Sequence, residues 1–331
     1  MLYIETERKD AAFHFSVEEY FMRRPHFDEP IMMIWQTGKC VMLGSFQVAG
    51  AEMDMNYARE EGIQIVRRSS GGGTIFTDSG TLLCTIILPC EEERDPWQIA
   101  KDMLAGPLID ALNKIGISAK PEGRNDITVD GKKISGLAQY VRNGRVCSHC
   151  SLLYDTDLET LARVIQVDEE KIRSKAIRSI RSRVANLKDY MDNPLSTRDF
   201  WDLLKHKLFE ERNVLEHTLS GHELTGIEAI YHEKYANPSW TFGMSPEFSF
   251  RNSRRFTGGK VDVFLDIIDG AVASCAIRGD FLGTVPIRGL EERLEKKEFH
   301  YQALDDILSE VALHPYLGDI TKEQLLSCMF D

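Results

Sequence analysis

The chain has 331 residues, 43% hydrophobic and 28% charged, with a net charge of −12 and a pI near 5.3. That length suits one large domain with a modest second one, and the acidic balance argues against general binding to a nucleic-acid backbone. The longest apolar runs fall well short of a membrane span, and the N-terminus, MLYIETERKDAAFHF, lacks the basic and apolar regions of a signal peptide. A cytoplasmic protein with no membrane contact is therefore expected, and its seven cysteines, mostly in apolar runs, read as reduced buried thiols.

In chain order, residues 11–22 place Phe13, Val17, Tyr20 and Phe21 at helical spacing. Residues 30–35 and 40–44 read as neighbouring buried strands, and Ile63–Val66 as a strand that runs directly into RRSSGGGTIFTDSGT at 67–81. Three consecutive glycines cost conformational entropy and give nothing to a core, so they imply left-handed backbone or the close approach of a ligand. Arg67 and Arg68 beside them suggest that the ligand is an anion. The stretch is neither a Walker A loop nor G-x-G-x-x-G. With Ser70 and Thr74 it offers amides, hydroxyls and a guanidinium, the parts of a phosphate cradle; an ordinary structural turn is the plainer alternative.

Residues 81–88 form another apolar strand. A helix is expected from Pro96 to Ile115, kinked or split at Pro107. Asp130-Gly131 marks a tight hairpin, after which strict alternation puts Lys133 and Ser135 on one face and Lys132 and Ile134 on the other. Lys133 opens a sparsely charged stretch, KISGLAQ, in which one ammonium can face a cleft. In the next strand, 146–154, Cys147 and His149 share a face and Cys150 takes the other. No second ligand pair with suitable spacing follows, so no zinc site is expected; Cys150 with His149 stays open as a thiol nucleophile. Residues 171–188 hold seven Lys or Arg and no carboxylate, either a solvated helix face or a second anion contact. Helices at about 157–166 and 199–212 come before a change of pattern at 238–243. Beyond it lie a hairpin from Lys260 to Ile277 turning at Asp269-Gly270, and helices near 287–298 and 301–312. Hairpin signals outnumber βαβ spacings, so the expected class is α+β with a largely antiparallel sheet. A main domain over 1–246 and a small α+β domain over 247–331 are expected.

The stretch RRSSGGGTIFTDSG resembles the R-R-x-S-G-G-G-[AT]-V-[FY]-H-D motif of lipoate-protein ligases. Further motifs recur in family order: Trp35 with Gly44-x-x-Gln47, Gly123-Arg124-Asn125-Asp126, and Lys133-Ile134-Ser135-Gly136-x-Ala138. His149 with Ser151-Leu152-Leu153, Ser179 to Leu187, and Trp240-x-Phe242-Gly243 complete the set. The resemblance implies a fold like that of class II aminoacyl-tRNA synthetases and biotin ligases, and ATP-dependent activation of lipoate to lipoyl-AMP with transfer to a lysine of an acceptor. It implies Lys133 as the catalytic cation between two anions. Around ATP or lipoyl-AMP it sets Arg68, Ser70, Gly71, Gly72, Gly73, Thr74, Ile75 and Phe76 from the glycine stretch. Asn125, Asp126, Gly136, Ala138 and Arg181 complete that set, with Asp126 toward Mg²⁺. Lipoate falls to Lys133, Gly72, His149 and Ser151, with Trp35 walling the tail tunnel. The implied acceptors are lipoyl domains or the glycine-cleavage H protein; such acceptors are often acidic and so is this chain, so a monomeric enzyme docking through a local basic patch is expected. Thr77 stands where the family usually has His, Thr81 where Asn is usual, and Cys150 where Gly is common. Three rivals stay open: an acyl transferase working through a Cys150 thioester, a biotin ligase, and a non-catalytic binder of lipoate or nucleotide.

Overall fold

The structure is a computed structural model that describes all residues except 25–28, 91–94, 166–181, 211, 243–249, 269 and 331, and the side chains of 50 and 51. Its strands, in chain order, are β1 (Leu2–Ile4), β2 (Ile31–Trp35), β3 (Cys40–Leu43), β4 (Gln64–Arg67), β5 (Ile75–Thr77), β6 (Thr81–Pro89) and β7 (Lys120–Glu122). They continue as β8 (Asp126–Val129), β9 (Lys132–Arg142), β10 (Arg145–Leu153), β11 (Leu215–Glu216), β12 (Phe250–Phe256), β13 (Gly259–Ile268) and β14 (Ala271–Gly279). Eight of them form the main sheet in the order β11-β1-β2-β6-β10-β9-β8-β7, parallel only at β1 with its two neighbours. Smaller sheets follow the orders β4-β3-β5 and β12-β13-β14. The class is α+β with a mostly antiparallel sheet, as the hairpin count suggests.

The chain divides into two compact units. One comprises 1–42, 53–66 and 75–237; the other comprises 43–52, 67–74 and 238–331. Two loops from the first third of the chain, including the triple glycine, thus belong to the unit that carries the C-terminal residues. That unit has its own core, in which Val261, Val263 and Ile277 of the sheet meet Leu290, Leu304 and Leu326 of the helices.

In the first unit the main sheet is covered on both faces. One face packs Ile34, Cys84, Ile86, Val146, Cys150 and Leu152 against Leu104, Leu108 and Leu112 and against Phe200, Trp201 and Leu204. The opposite face carries helix α1 (Ala11–Met22), capped by Asp10 accepting from the Ala12 amide. All twelve residues of α1 are buried, His14, Glu18 and Glu19 included, so burial runs all round the helix beyond the apolar stripe. Glu19 carries this cost through partners. Burial alone would raise its carboxyl, but Lys234 above all, helped by a Tyr235 hydroxyl and by Arg142, holds it down at about 2.

The helix expected over 96–115 is present as Pro96–Ala100 and Gly106–Lys114, joined by a π-helical turn at Lys101–Ala105. Pro107 has no amide to donate and crowds the preceding turn, which widens there. The Asp130-Gly131 hairpin has φ of 50° and 73°, the left-handed pair of a type I′ turn. Asn143-Gly144, at 52° and 68°, repeats that geometry between β9 and β10. One alternation is corrected. The β8–β9 register slips between Ile127 and Thr128, so that Ser135 faces Ile127 and Lys133 faces Thr128. The bulge leaves Ile134 extra and reverses the alternation beyond it, separating Lys133 from Ser135.

Candidate active site

The slipped register decides where Lys133 points. Its head group lies over Gly136: a Cβ added there would stand 2.8 Å from Lys133 Nζ and 2.9 Å from its Cε. Gly136 is therefore required for the lysine to lie flat along its own strand. Ser151 pairs with Gly136 and His149 with Ala138 across β9–β10, and directly opposed residues share a face. Lys133, Gly136, Ala138, His149 and Ser151 thus stand on one side of the sheet, the side covered by α1. Asp126 Oδ1 meets Lys133 Nζ at 2.7 Å, with the two side chains 35% and 40% exposed. Asn125 works on the backbone, its amide nitrogen donating to Leu137 O while its carbonyl accepts from Leu137 N.

The conformation of Lys133 is also set from behind. Val184 forms a parallel bridge with it, and the Ala185 amide donates to Lys133 O. Asn186 then fastens this segment by bonding both the amide and the carbonyl of Thr156. So the basic stretch contributes Val184 and Ala185 to the surroundings of Lys133; Arg181 and residues 171–180 lie outside the described residues.

Deeper on the same face, Trp35 is buried, stacked on His14 at 4.4 Å, and donates from Nε1 to Thr85 Oγ1. Thr85 donates onward to Glu18 Oε1, which faces His149 Nδ1 at 3.2 Å. Burial lowers His14 to about 4, so it packs here as a neutral ring. Cys150 faces the other way, into the apolar layer opposite Cys84, while His149 points toward α1. A Cys150 thiol therefore has no base in His149.

The glycine stretch belongs to the second unit, and its two arginines hold backbone. Arg67 is fully buried and donates to the carbonyls of Gly44, Gln47, Trp240 and Thr241, while Trp240 Nε1 donates back to Arg67 O. Burial, with Arg278 nearby, lowers it to about 10, which leaves it charged at neutral pH. Arg68 donates from Nε to Ser70 Oγ and from a terminal nitrogen to the carbonyls of Gly71 and Gly73. Two of the three glycines are needed in the folded chain itself. Gly72 has φ of +89°, its amide donates to Phe281 O, and a Cβ on Gly71 would come within 2.7 Å of that same oxygen. Thr74 Oγ1 donates to Gln47 Oε1, and Ile75 and Phe76 continue into β5, paired with Met42 and Val41.

Two residues here carry no role in the sequence reading. Gln47 Oε1 accepts from the Gly44 amide as well as from Thr74, and its Nε2 donates to Glu52 Oε2. Glu52 fixes the direction of that amide. Burial pushes its carboxyl up to about 7, against the pull of Lys260. The Gly44-x-x-Gln47 spacing was the only sequence signal for this clamp.

Family models and relatives match both parts of the chain. Residues 10–209 match the lipoyl protein ligase A/B catalytic domain, and 245–329 match the bacterial lipoate protein ligase C-terminus. Lipoate-protein ligase LplJ of Bacillus subtilis (strain 168) is 34% identical over 334 residues, covering 100% of both chains. A bi-partite lipoate protein ligase of Thermoplasma acidophilum, described with its E2 lipoyl domain, superposes with a TM-score of 0.67 at 28% identity over 75% of this chain and 98% of its own. A lipoate-protein ligase A bound with ATP gives 0.64 at 26% identity over 74% of this chain and 98% of its own. Among the described residues no helix is long and apolar enough to cross a membrane. With both of its parts matched and a relative aligned from end to end, the chain belongs to the lipoate-protein ligase family.

Proposed function

We propose that the protein activates lipoate with ATP and transfers the lipoyl group to a lysine of an acceptor domain. A lipoate carboxylate oxygen attacks the α-phosphorus, the bond to the β-phosphate breaks, and pyrophosphate leaves. The acceptor amine then attacks the acyl carbon of the mixed anhydride, AMP departs, and the amine proton goes to solvent. Lys133 is the cation that lets carboxylate and phosphate approach, since a preorganised charge at the reacting centre needs no reorganisation. The observation that carries this reading is the bulge that lays Lys133 over Gly136, on the face of His149 and Ser151.

The other roles follow. Arg68 shapes the loop of Ser70 to Thr74 that holds nucleotide phosphates; the Gly72 amide serves them once Phe281 O releases it. Asp126 fits Mg²⁺, because one part-exposed carboxylate beside Lys133 suits an ion held mainly by substrate phosphates. When bound, that ion neutralises phosphate charge. His149, Ser151 and Trp35 wall the lipoyl groove. Residues 1–246 act as the catalytic domain and 247–331 as the accessory domain of a monomeric cytoplasmic enzyme. The acceptor is a lipoyl domain or a glycine-cleavage H-type protein.

The test is pyrophosphate release from Mg-ATP with lipoate, octanoate and biotin offered separately, followed by AMP release on adding a lipoyl domain. Lipoate-dependent release supports the reading. A stoichiometric acyl thioester at Cys150 formed without ATP would overturn it in favour of a transferase.

A further inference from the structure

Zinc sites need ligand atoms converging from buried, oriented side chains. The strand pattern alone offers only Cys147 and His149 on one face. The fold supplies a third donor from a distant helix. Glu18 of α1 comes down on that face, and an oxygen of Glu18, the thiol of Cys147 and a ring nitrogen of His149 all lie within 4.8 Å of one another. All three residues are buried.

We propose that Glu18, Cys147 and His149 form a zinc-binding site, and that zinc held there closes the lipoyl groove. Ligands on a tetrahedral zinc stand about 3.3–3.7 Å apart, given metal–ligand distances of about 2.0–2.3 Å. Glu18 Oε1 and His149 Nδ1 are already 3.2 Å apart, so two ligands need little adjustment and Cys147 closes the triangle. The donor set of carboxylate, thiolate and imidazole suits zinc rather than magnesium or calcium. The outer partners are in place too: Thr85 donates to Glu18 and Trp35 to Thr85, the kind of support that orients a ligating carboxylate. Tyr140, opposite Cys147 in the register, is buried with its hydroxyl unpartnered; it can accept from a water in the fourth position. On binding, the Cys147 S–H bond gives way to a zinc–sulfur bond and the proton leaves to buffer. The inhibitory half of this proposal rests on the lipoyl-groove reading; the binding half does not.

The experiment uses the full chain without a histidine tag. Zinc chloride is titrated against a chromophoric chelator, and cobalt chloride is added in parallel to look for a thiolate-to-metal charge-transfer band. One zinc per chain is expected, with affinity falling by about 100-fold or more in Cys147→Ser and in Glu18→Gln, since even an outer-shell change costs 10- to 100-fold. Cys150→Ser, on the opposite face, should bind as the wild type does. The cobalt band should vanish in Cys147→Ser, a loss that misfolding is checked against by circular dichroism of the same sample. Binding that ignores Cys147, or no cobalt–thiolate band in the wild type, overturns the site. Zinc should also inhibit lipoylation competitively with lipoate and be reversed by a zinc-selective chelator. Tight Cys147-dependent binding that leaves lipoylation unaffected would overturn the inhibitory half alone.

Discussion

Two cationic regions of this molecule carry the residues that its sequence marks most strongly, and they use charge in opposite ways. The guanidinium of Arg67 is fully buried and spent on backbone carbonyls from two distant segments, and Arg68 binds its own loop. Lys133 is 40% exposed, tied to one carboxylate, and lies over a glycine that leaves it room. A planar fork with five donors suits permanent wiring, whereas a point charge on a flexible stem suits a group that must change partners during a reaction. The first arrangement builds a loop. The second keeps a charge available.

The largest way to break this contrast is Arg67→Ala. Four or more buried carbonyls lose their donor, each worth about 1–3 kcal/mol when left unsatisfied and partly recovered by water, so a loss of roughly 3–5 kcal/mol in urea unfolding is expected. A stable variant with a defect confined to ATP affinity would make Arg67 a phosphate ligand instead. Lys133→Ala should show the reverse pattern. ATP–pyrophosphate exchange should fall on the order of 10²-fold or more, while unfolding changes by less than about 1 kcal/mol, as for other part-exposed ion pairs. Exchange within a few-fold of wild type would remove Lys133 from the chemistry.

Glu52→Gln sharpens the account of the loop. A carboxyl raised to about 7 in the folded chain keeps its proton through a pH window in which the unfolded chain has already lost it. Stability from this group is therefore lost as pH rises from about 4.5 to 7. Over that window Glu52→Gln should gain on the wild type by up to about 2 kcal/mol in unfolding free energy, the full shift being discounted for partial exposure. Parallel pH profiles would mean that Glu52 titrates normally. The smallest effect is expected at Gly136→Ala, where the added methyl meets only the end of a flexible side chain. Displacing Lys133 by an ångström or so should cost about tenfold in exchange rate with little change in unfolding midpoint. A midpoint shift without a rate change would show that Gly136 serves packing alone.

Much of this was legible from residues alone because it depends on local chemistry. Asp130-Gly131 signals a tight turn from its own chemistry, Pro107 disturbs any helix, and the apolar runs at 31–35 and 81–88 are of strand length and rich in strand-forming residues. The ordered motifs named the family for the same reason, since each is a short stretch whose spacing survives in the sequence. Local pattern could not tell that Arg67 would be met by Trp240 and Thr241, because a guanidinium reads the same facing an anion or a carbonyl. Nor could it show that a one-residue bulge moves Lys133 from the face of Ser135 to that of Gly136, since period-two alternation carries no mark of where a register slips. Glu18 is the furthest case. In the sequence it is one carboxylate in a helix of mixed polarity, and only the packing of α1 against β10 brings it to His149 and Cys147, some 130 residues away. The sequence by itself determined which elements form and which side chains are chemically able. The tertiary structure decided which of those side chains meet, because burial and register act between segments that the chain keeps far apart.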